Sequence, residues 1–241
     1  MPLPLPSAEK QPLVLLPGLL CDAALWRHQR DSLADLADIT VADLTGHDTL
    51  GAMAEHVLAS TPETFALAGL SMGGYLAQEI MRRAPERVTR LALLDTSFHP
   101  DTPELTARRR GLMDLSQKGE FKGVTARLLP LLIHQDRLED AALTETVFAM
   151  ADSVGKEAFL RQQHAIMSRP DGRKDLANIA CPTLVLCGRQ DALAPFEVHR
   201  EMAALIPGAK FVAIEDCGHL STLERPRAVS AVMRYWLQGG G

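Results

Sequence analysis

The chain has few of the features that mark disulfide-stapled, metal-binding or membrane-embedded proteins. Only four cysteines, Cys21, Cys181, Cys187 and Cys217, occur in 241 residues, with no C-x-x-C pair and no zinc-like spacing. Each lies beside an apolar segment, which points to reduced, buried thiols in a cytoplasmic protein rather than a disulfide framework. No apolar run is long enough to span a bilayer. The opening Met1-Pro2-Leu3-Pro4-Leu5-Pro6-Ser7 lacks the basic start and continuous apolar stretch of a signal peptide, and its three prolines deny it a regular ladder. Residues 1–11 therefore read as a loose arm. Basic charge is also short: 25 Lys and Arg face 30 Asp and Glu, a net charge of -5, which argues against an electrostatic grip on nucleic acid or an anionic membrane. There is no internal repeat.

What is present is ordinary globular material, 46% hydrophobic and 23% charged, in a chain long enough for one large domain or two small ones. Leu13-Val14-Leu15-Leu16 is a continuous apolar run suited to a strand covered on both faces. Ala23 to Leu36 reads as a helix, Ile39 to Leu44 as a strand, and Thr49 to Ala59 as a helix spaced through Leu50, Met53, Val57 and Leu58. The run Thr64 to Ala68, then the helix beginning near Tyr75, then the strand Val88 to Leu94 continue the alternation. This order implies a parallel sheet with helices on both faces. From Phe98 to Arg169 the alternation stops, and the spacing predicts four helices, near 104–118, 120–133, 138–153 and 155–168. Strands resume at Pro182 to Gly188 and at Lys210 to Ile214, with helices at Phe196 to Ile206 and from Pro226 to Leu237. Gln238-Gly239-Gly240-Gly241 reads as a flexible tail.

The most informative stretch is Gly69-Leu70-Ser71-Met72-Gly73-Gly74. It matches G-x-S-x-G at a junction between a buried strand and a helix, where a strained turn exposes a serine and needs side-chain-free neighbours two residues either side. A serine hydroxyl is a poor nucleophile near neutral pH and needs a base, oriented in turn by a third group. Of eight histidines, His219 directly follows the last strand, at the same edge of a parallel sheet as Ser71. Asp191, on the loop after the preceding strand, is the favoured orienting acid, with Asp95, which also ends a strand at that edge, as competitor. The backbone N–H groups of Met72 and Leu19 are the candidate oxyanion donors.

Taken with Leu15-Leu16-Pro17-Gly18, Asp43-Leu44-Thr45-Gly46-His47, Gly188-Arg189-Gln190-Asp191 and Gly218-His219, the chain resembles the α/β-hydrolase superfamily, in its serine-nucleophile form with a helical cap. The resemblance covers nearly everything from Leu13 to Leu237. It implies a core of residues 1–97 and 170–241, a four-helix cap at 98–169, and catalysis without metal or organic cofactor. Too little sequence precedes Leu13 for the family's two antiparallel strands, so the expected sheet is mostly parallel with about six strands. Pro17 stands where the family often has a histidine that braces the oxyanion loop, and Asp48-Thr49 replaces a small-residue turn after Gly46-His47.

The implied activity is hydrolysis of a small to medium, partly apolar carboxylic ester, or a related lactone or thioester, through an acyl-enzyme. Carbon–carbon bond hydrolysis, enol-lactone opening and a noncatalytic small-molecule receptor on the same scaffold are the alternatives. Ser at the elbow counts against epoxide hydrolysis and dehalogenation. Arg108-Arg109-Arg110 reads as a solvated helix face, with docking of an acidic acyl carrier protein as the sharper alternative.

Overall fold

The computed structural model describes residues 10–119, 121, 123, 124 and 126–239. Most of the proline-rich arm and the last two glycines of the tail lie outside the described residues. Six strands form one sheet: β1 (Gln11–Leu16), β2 (Ala37–Val41), β3 (Phe65–Leu70), β4 (Val88–Leu94), β5 (Thr183–Gly188) and β6 (Lys210–Ile214). Their order across the sheet is β2-β1-β3-β4-β5-β6, and every neighbouring pair is parallel. β1 begins two residues before the apolar run because Gln11 already registers with Ala37 and its N–H reaches Leu36 O at 3.2 Å. That part of the expected loose arm is therefore ordered.

Both faces of the central strands are covered, which is why β1, β3, β5 and the second half of β4 read as continuous apolar runs, whereas the edge strand β2 alternates. Leu13, Leu15, Ala66, Ala68, Ala92 and Leu94 point to one face, where α1 (Arg27–Leu33) and α10 (Pro226–Leu237) bring Leu33, Val229, Met233 and Trp236. Val14, Leu16, Leu67, Leu91, Leu93 and Val185 point to the other. There they meet Met53 and Val57 of α2 (Leu50–Ser60), Leu76 and Ile80 of α3 (Met72–Arg83), and Met202 of α8 (Phe196–Leu205).

Between β4 and β5 the chain is helical. α4 (Pro103–Lys118) lies where the 104–118 helix is expected, capped by Thr102 Oγ1, which accepts from Leu105 N at 3.3 Å. The expected helices at 138–153 and 155–168 form α6 (Ala141–Met167), broken at Gly155 by a left-handed φ of 73°. The stretch 120–133 departs from the expectation. Its described helix is one turn, α5 (Leu129–Leu132), preceded by Gly123 at φ 55°, a conformation that ends a right-handed helix. A one-turn α7 (Arg173–Leu176) leads back to β5.

The parallel register carries the C-terminal ends of β1, β3, β4, β5 and β6 to one rim: Leu16 pairs with Gly69, Leu70 with Leu94, Leu94 with Leu186, and Gly188 with Ile214. The loops leaving that rim hold the four non-glycine residues that, among the described residues, have left-handed backbone: Leu20, Ser71, Asp95 and Asp216.

Candidate active site

Ser71 sits between β3 and α3 with φ 56° and ψ −115°, a conformation costing an L-residue about 1–3 kcal/mol. Surrounding bonds hold it there. Ser71 N donates to Leu94 O at 3.0 Å, and its carbonyl accepts from Thr96 Oγ1 at 2.8 Å and Gly74 N at 2.9 Å. The glycine requirement is steric: a Cβ at Gly69 would overlap the Gly73 backbone, and one at Gly73 would overlap the carbonyls of Leu16 and Pro17.

Three residues distant in sequence meet at the rim. His219 Nε2 lies 2.9 Å from Ser71 Oγ, and His219 Nδ1 lies 2.8 Å from Asp191 Oδ2. The other Asp191 oxygen accepts from Leu193 N at 2.8 Å and Ala194 N at 2.9 Å, which fixes the plane of the carboxylate. A carboxylate facing Nδ1 requires the proton there, so the Nε2 lone pair faces the serine hydroxyl, which donates to it. Burial would push the His219 imidazole down, but the charge and hydrogen bond of Asp191 outweigh it and hold the histidine above its ordinary value. Burial likewise opposes the charged form of Asp191, but its contact with His219 and the N–H of Ala194 together keep that carboxyl low.

Asp95, the competing acid, is fully buried and engaged elsewhere. Its Oδ1 accepts from Gly188 N at 2.9 Å, and its Oδ2 accepts from Ser221 Oγ at 2.5 Å and Ser221 N at 3.3 Å. Burial first, then the nearby Asp191 charge, raise its carboxyl well above the usual range. Asp95 thus ties the last residue of β5 to the start of α9 (Ser221–Glu224), two residues beyond the imidazole.

Met72 is the first residue of α3, where a helical N–H has no intrahelical partner. Leu19 follows Gly18, whose backbone abuts Ser71 so closely that an added Cβ would sit 3.4 Å from the serine Cβ. The bracing that Pro17 does not supply comes from α6. Gln162 Oε1 accepts from Leu20 N at 3.1 Å, and its Nε2 donates to Leu44 O at 3.2 Å, joining the loops after β1 and β2. The sequence marks Gln162 only as a polar residue in a helix, and its complete burial is visible only in the fold.

Two further polar residues escape sequence reasoning. His199 on α8 is buried, and burial brings its imidazole down to about 4; it stays neutral, with Nε2 accepting from Thr96 N at 2.8 Å. Thr96 in turn holds the Ser71 carbonyl. Within the basic run, Arg108 and Arg110 are exposed, but Arg109 turns inward, contrary to the solvated face expected for all three. Its guanidinium reaches Asp101 Oδ2 at 2.7 Å and Gln163 Oε1 at 2.9 Å. Asp101 is shared with Arg169, which lies over the Tyr75 ring at 4.4 Å.

All four cysteines are free thiols; Cys187 and Cys217 are buried, while Cys21 and Cys181 are half-buried. Among the described residues no three His, Cys, Asp or Glu side chains are grouped to hold a metal ion. Likewise, no described helix is long and apolar enough to cross a membrane.

A strained serine beside a histidine–aspartate pair, on loops at one rim of a parallel sheet, agrees with the family model that the sequence matches. That model, described as the alpha/beta hydrolase family, spans residues 13–232. The chain belongs to this family. Its relatives include a pimeloyl-[acyl-carrier protein] methyl ester esterase of Aliivibrio salmonicida, 28% identical over 242 residues, covering 88% of this chain and 87% of the relative. Among solved structures, a thermophilic esterase from Thermogutta terrifontis is 31% identical with a TM-score of 0.85, covering 96% of this chain and 91% of that one. The enol-lactonase from Burkholderia xenovorans is 25% identical with a TM-score of 0.84, covering 95% and 92%. In keeping with these α/β-hydrolases, the chain is an enzyme of the hydrolase class.

Proposed function

We propose that this α/β-hydrolase cleaves small to medium, partly apolar carboxylic esters through an acyl-enzyme on Ser71. The observation that carries the reading is the continuous line Ser71 Oγ, His219 Nε2, His219 Nδ1, Asp191 Oδ2, with separations of 2.9 and 2.8 Å. His219 removes the serine proton as Oγ attacks the ester carbonyl, and Asp191 stabilises the imidazolium. The Leu19 and Met72 N–H groups receive the oxyanion. His219 then protonates the leaving alcohol and activates the water that releases the acid. No metal or organic cofactor enters these steps.

Residues 98–169 act in this reading as a cap insertion over the core of 1–97 and 170–241, and supply the apolar part of the substrate site. The packing of Leu19 and Leu20 against Met113, Phe121, Val124 and Phe159 supports that role. Ser71→Ala should abolish hydrolysis of a p-nitrophenyl ester and labelling by a fluorophosphonate while leaving the melting curve intact. Retention of most turnover would place the nucleophile elsewhere, and an unlabelled wild-type protein would favour a receptor.

A second reading concerns the acyl side of the substrate, the side that would carry a protein in the methyl ester of an acyl-carrier-bound acid. The methyl ester esterase relative named for an acyl-carrier substrate favours an acyl carrier protein as partner. The exposed Arg108 and Arg110 on α4 are the cations such an acidic partner would meet. Reversing both charges should weaken turnover of a carrier-bound ester and spare a small free ester; equal effects on both substrates would exclude docking there.

A further inference from the structure

The residues on either side of His219 are tied to the helical segment between β4 and β5, one directly and one through Glu224 of α9. One residue after the histidine, Leu220 N donates to Leu132 O at 3.0 Å. One residue before it, Gly218 N donates to Glu224 Oε1 at 3.0 Å, and the other oxygen of that carboxylate accepts from His134 N at 2.7 Å. The approach is close: a side chain at Gly218 would collide with the main chain of Ile133 and His134. Glu224 also offers its carbonyl to Arg137 Nη1 at 2.6 Å. Arg137 continues to Asp140 Oδ2 at 2.7 Å, and Asp140 Oδ1 caps α6 by accepting from Leu143 N at 3.1 Å.

Glu224 is 2% exposed, and a carboxylate is costly to bury unless its bonds repay the lost water. Among the described residues, its side-chain oxygens bond to the main chain at Gly218 and His134, not to Ser71, Asp191 or the imidazole. What it joins is the loop carrying the imidazole and the strap of residues 132–137.

We propose that Glu224 is a positioning residue for His219, whose carboxylate ties the 132–137 strap to the histidine loop so that the seating of the helical segment and the reach of Nε2 toward Ser71 are set together. The inference rests on His219 serving as the base of the proposed hydrolysis. Proton transfer requires the 2.9 Å approach to Ser71 to persist, and a displacement of about 1 Å costs on the order of 100-fold in rate. Leu220 N, held by a main-chain carbonyl, limits the loop on one side only. On the other side Cys217 is paired with Gln190, and Glu224 supplies the restraint on Gly218, the residue next to the histidine.

Glu224→Gln is close to isosteric, but its amide has one oxygen for two N–H donors and sets an NH2 group against the other donor. With p-nitrophenyl acetate as probe, this variant should lower kcat on the order of 10–100-fold while KM stays near wild type. The downfield proton NMR signal of His219 Nδ1–H, identified by its loss in Asp191→Ala, should broaden or shift in a variant whose circular dichroism is native. A folded Glu224→Gln protein with wild-type kcat and an unmoved signal overturns the inference. Should that variant not fold, Arg137→Ala decides. It loosens the same strap at a half-buried position, and a fall in kcat at constant KM supports the proposal, whereas unchanged kcat overturns it. His219→Ala separates the two levels: if it keeps turnover, the base assignment and this inference fall together; if it is inactive while Glu224→Gln is not impaired, only the inference falls.

Discussion

The loops after β4 and β5 start from the same material. In each, a buried strand ends at the active rim and an aspartate follows within three residues, with little exposure to water. Asp191 has one oxygen turned to an imidazole and the other saturated by two N–H groups of its own loop. Asp95 has both oxygens spent on bracing, one on Gly188 and one on Ser221. The first is held in its charged form by a partner that itself becomes a cation. The second faces only neutral donors, so burial and the neighbouring Asp191 charge favour its proton. Position at the end of a strand therefore does not assign a carboxylate its chemistry. The partner on the neighbouring loop does.

The sharpest way to break this contrast is Asp191→Asn. The amide fills the same space but favours the wrong imidazole tautomer, and kcat should fall on the order of 10³–10⁴-fold in a normally folded protein. Steady-state hydrolysis of a p-nitrophenyl ester measures it; near-wild-type turnover would mean that Asp95 has taken over.

Asp95→Ala should show the opposite balance. Leaving the Gly188 N–H and Ser221 without their acceptor should cost about 1–3 kcal/mol in urea unfolding, with a far smaller loss of kcat than in Asp191→Asn. A larger effect on kcat than that of Asp191→Asn would invert the two roles.

A subtler discrimination lies in the pH profile. In the proposed reaction His219 must be neutral to act as base, so kcat/KM should rise as pH rises through its value. Because Asp191 raises that value, the limb should lie above the ordinary 6.5. Asp191→Asn should move the midpoint of its residual activity down, and Asp95→Asn should move it less. A limb at or below 6.5 in the wild type would show that burial prevails over the Asp191 charge.

The centre of the sheet is readable because both of its faces are covered, so Leu13 to Leu16 and Leu91 to Leu94 stand out as unbroken apolar runs. Ser71 was readable because its strained turn imposes glycine at positions 69 and 73, a local demand that leaves a local trace. Which of Asp95 and Asp191 meets His219 is a through-space property that the sequence only suggests by chain order. Gln162 and Glu224 leave still less: each is a polar side chain whose partners lie on other elements, such as Leu20 and Leu44 for the first and His134 for the second. The same holds for Arg109, since nothing in Arg108-Arg109-Arg110 shows that the middle member alone finds Asp101 and Gln163. At 120–133, apolar spacing suggested a longer helix than the single turn of α5, because Gly123 adopts a left-handed backbone that spacing does not reveal.

Of the four left-handed residues on the rim, Ser71 and Asp95 cannot give up their side chains without losing the hydroxyl or the brace, and Leu20 contributes to an apolar cluster. Asp216 differs. Its side chain is exposed and its nearest ionic contact, to Arg225, is 3.9 Å away, whereas the bond that Arg225 Nε makes to residue 216 goes to the main-chain oxygen. Glycine there would relieve the torsional penalty and keep that bond, so this corner offers a hardier enzyme room to evolve without touching its chemistry.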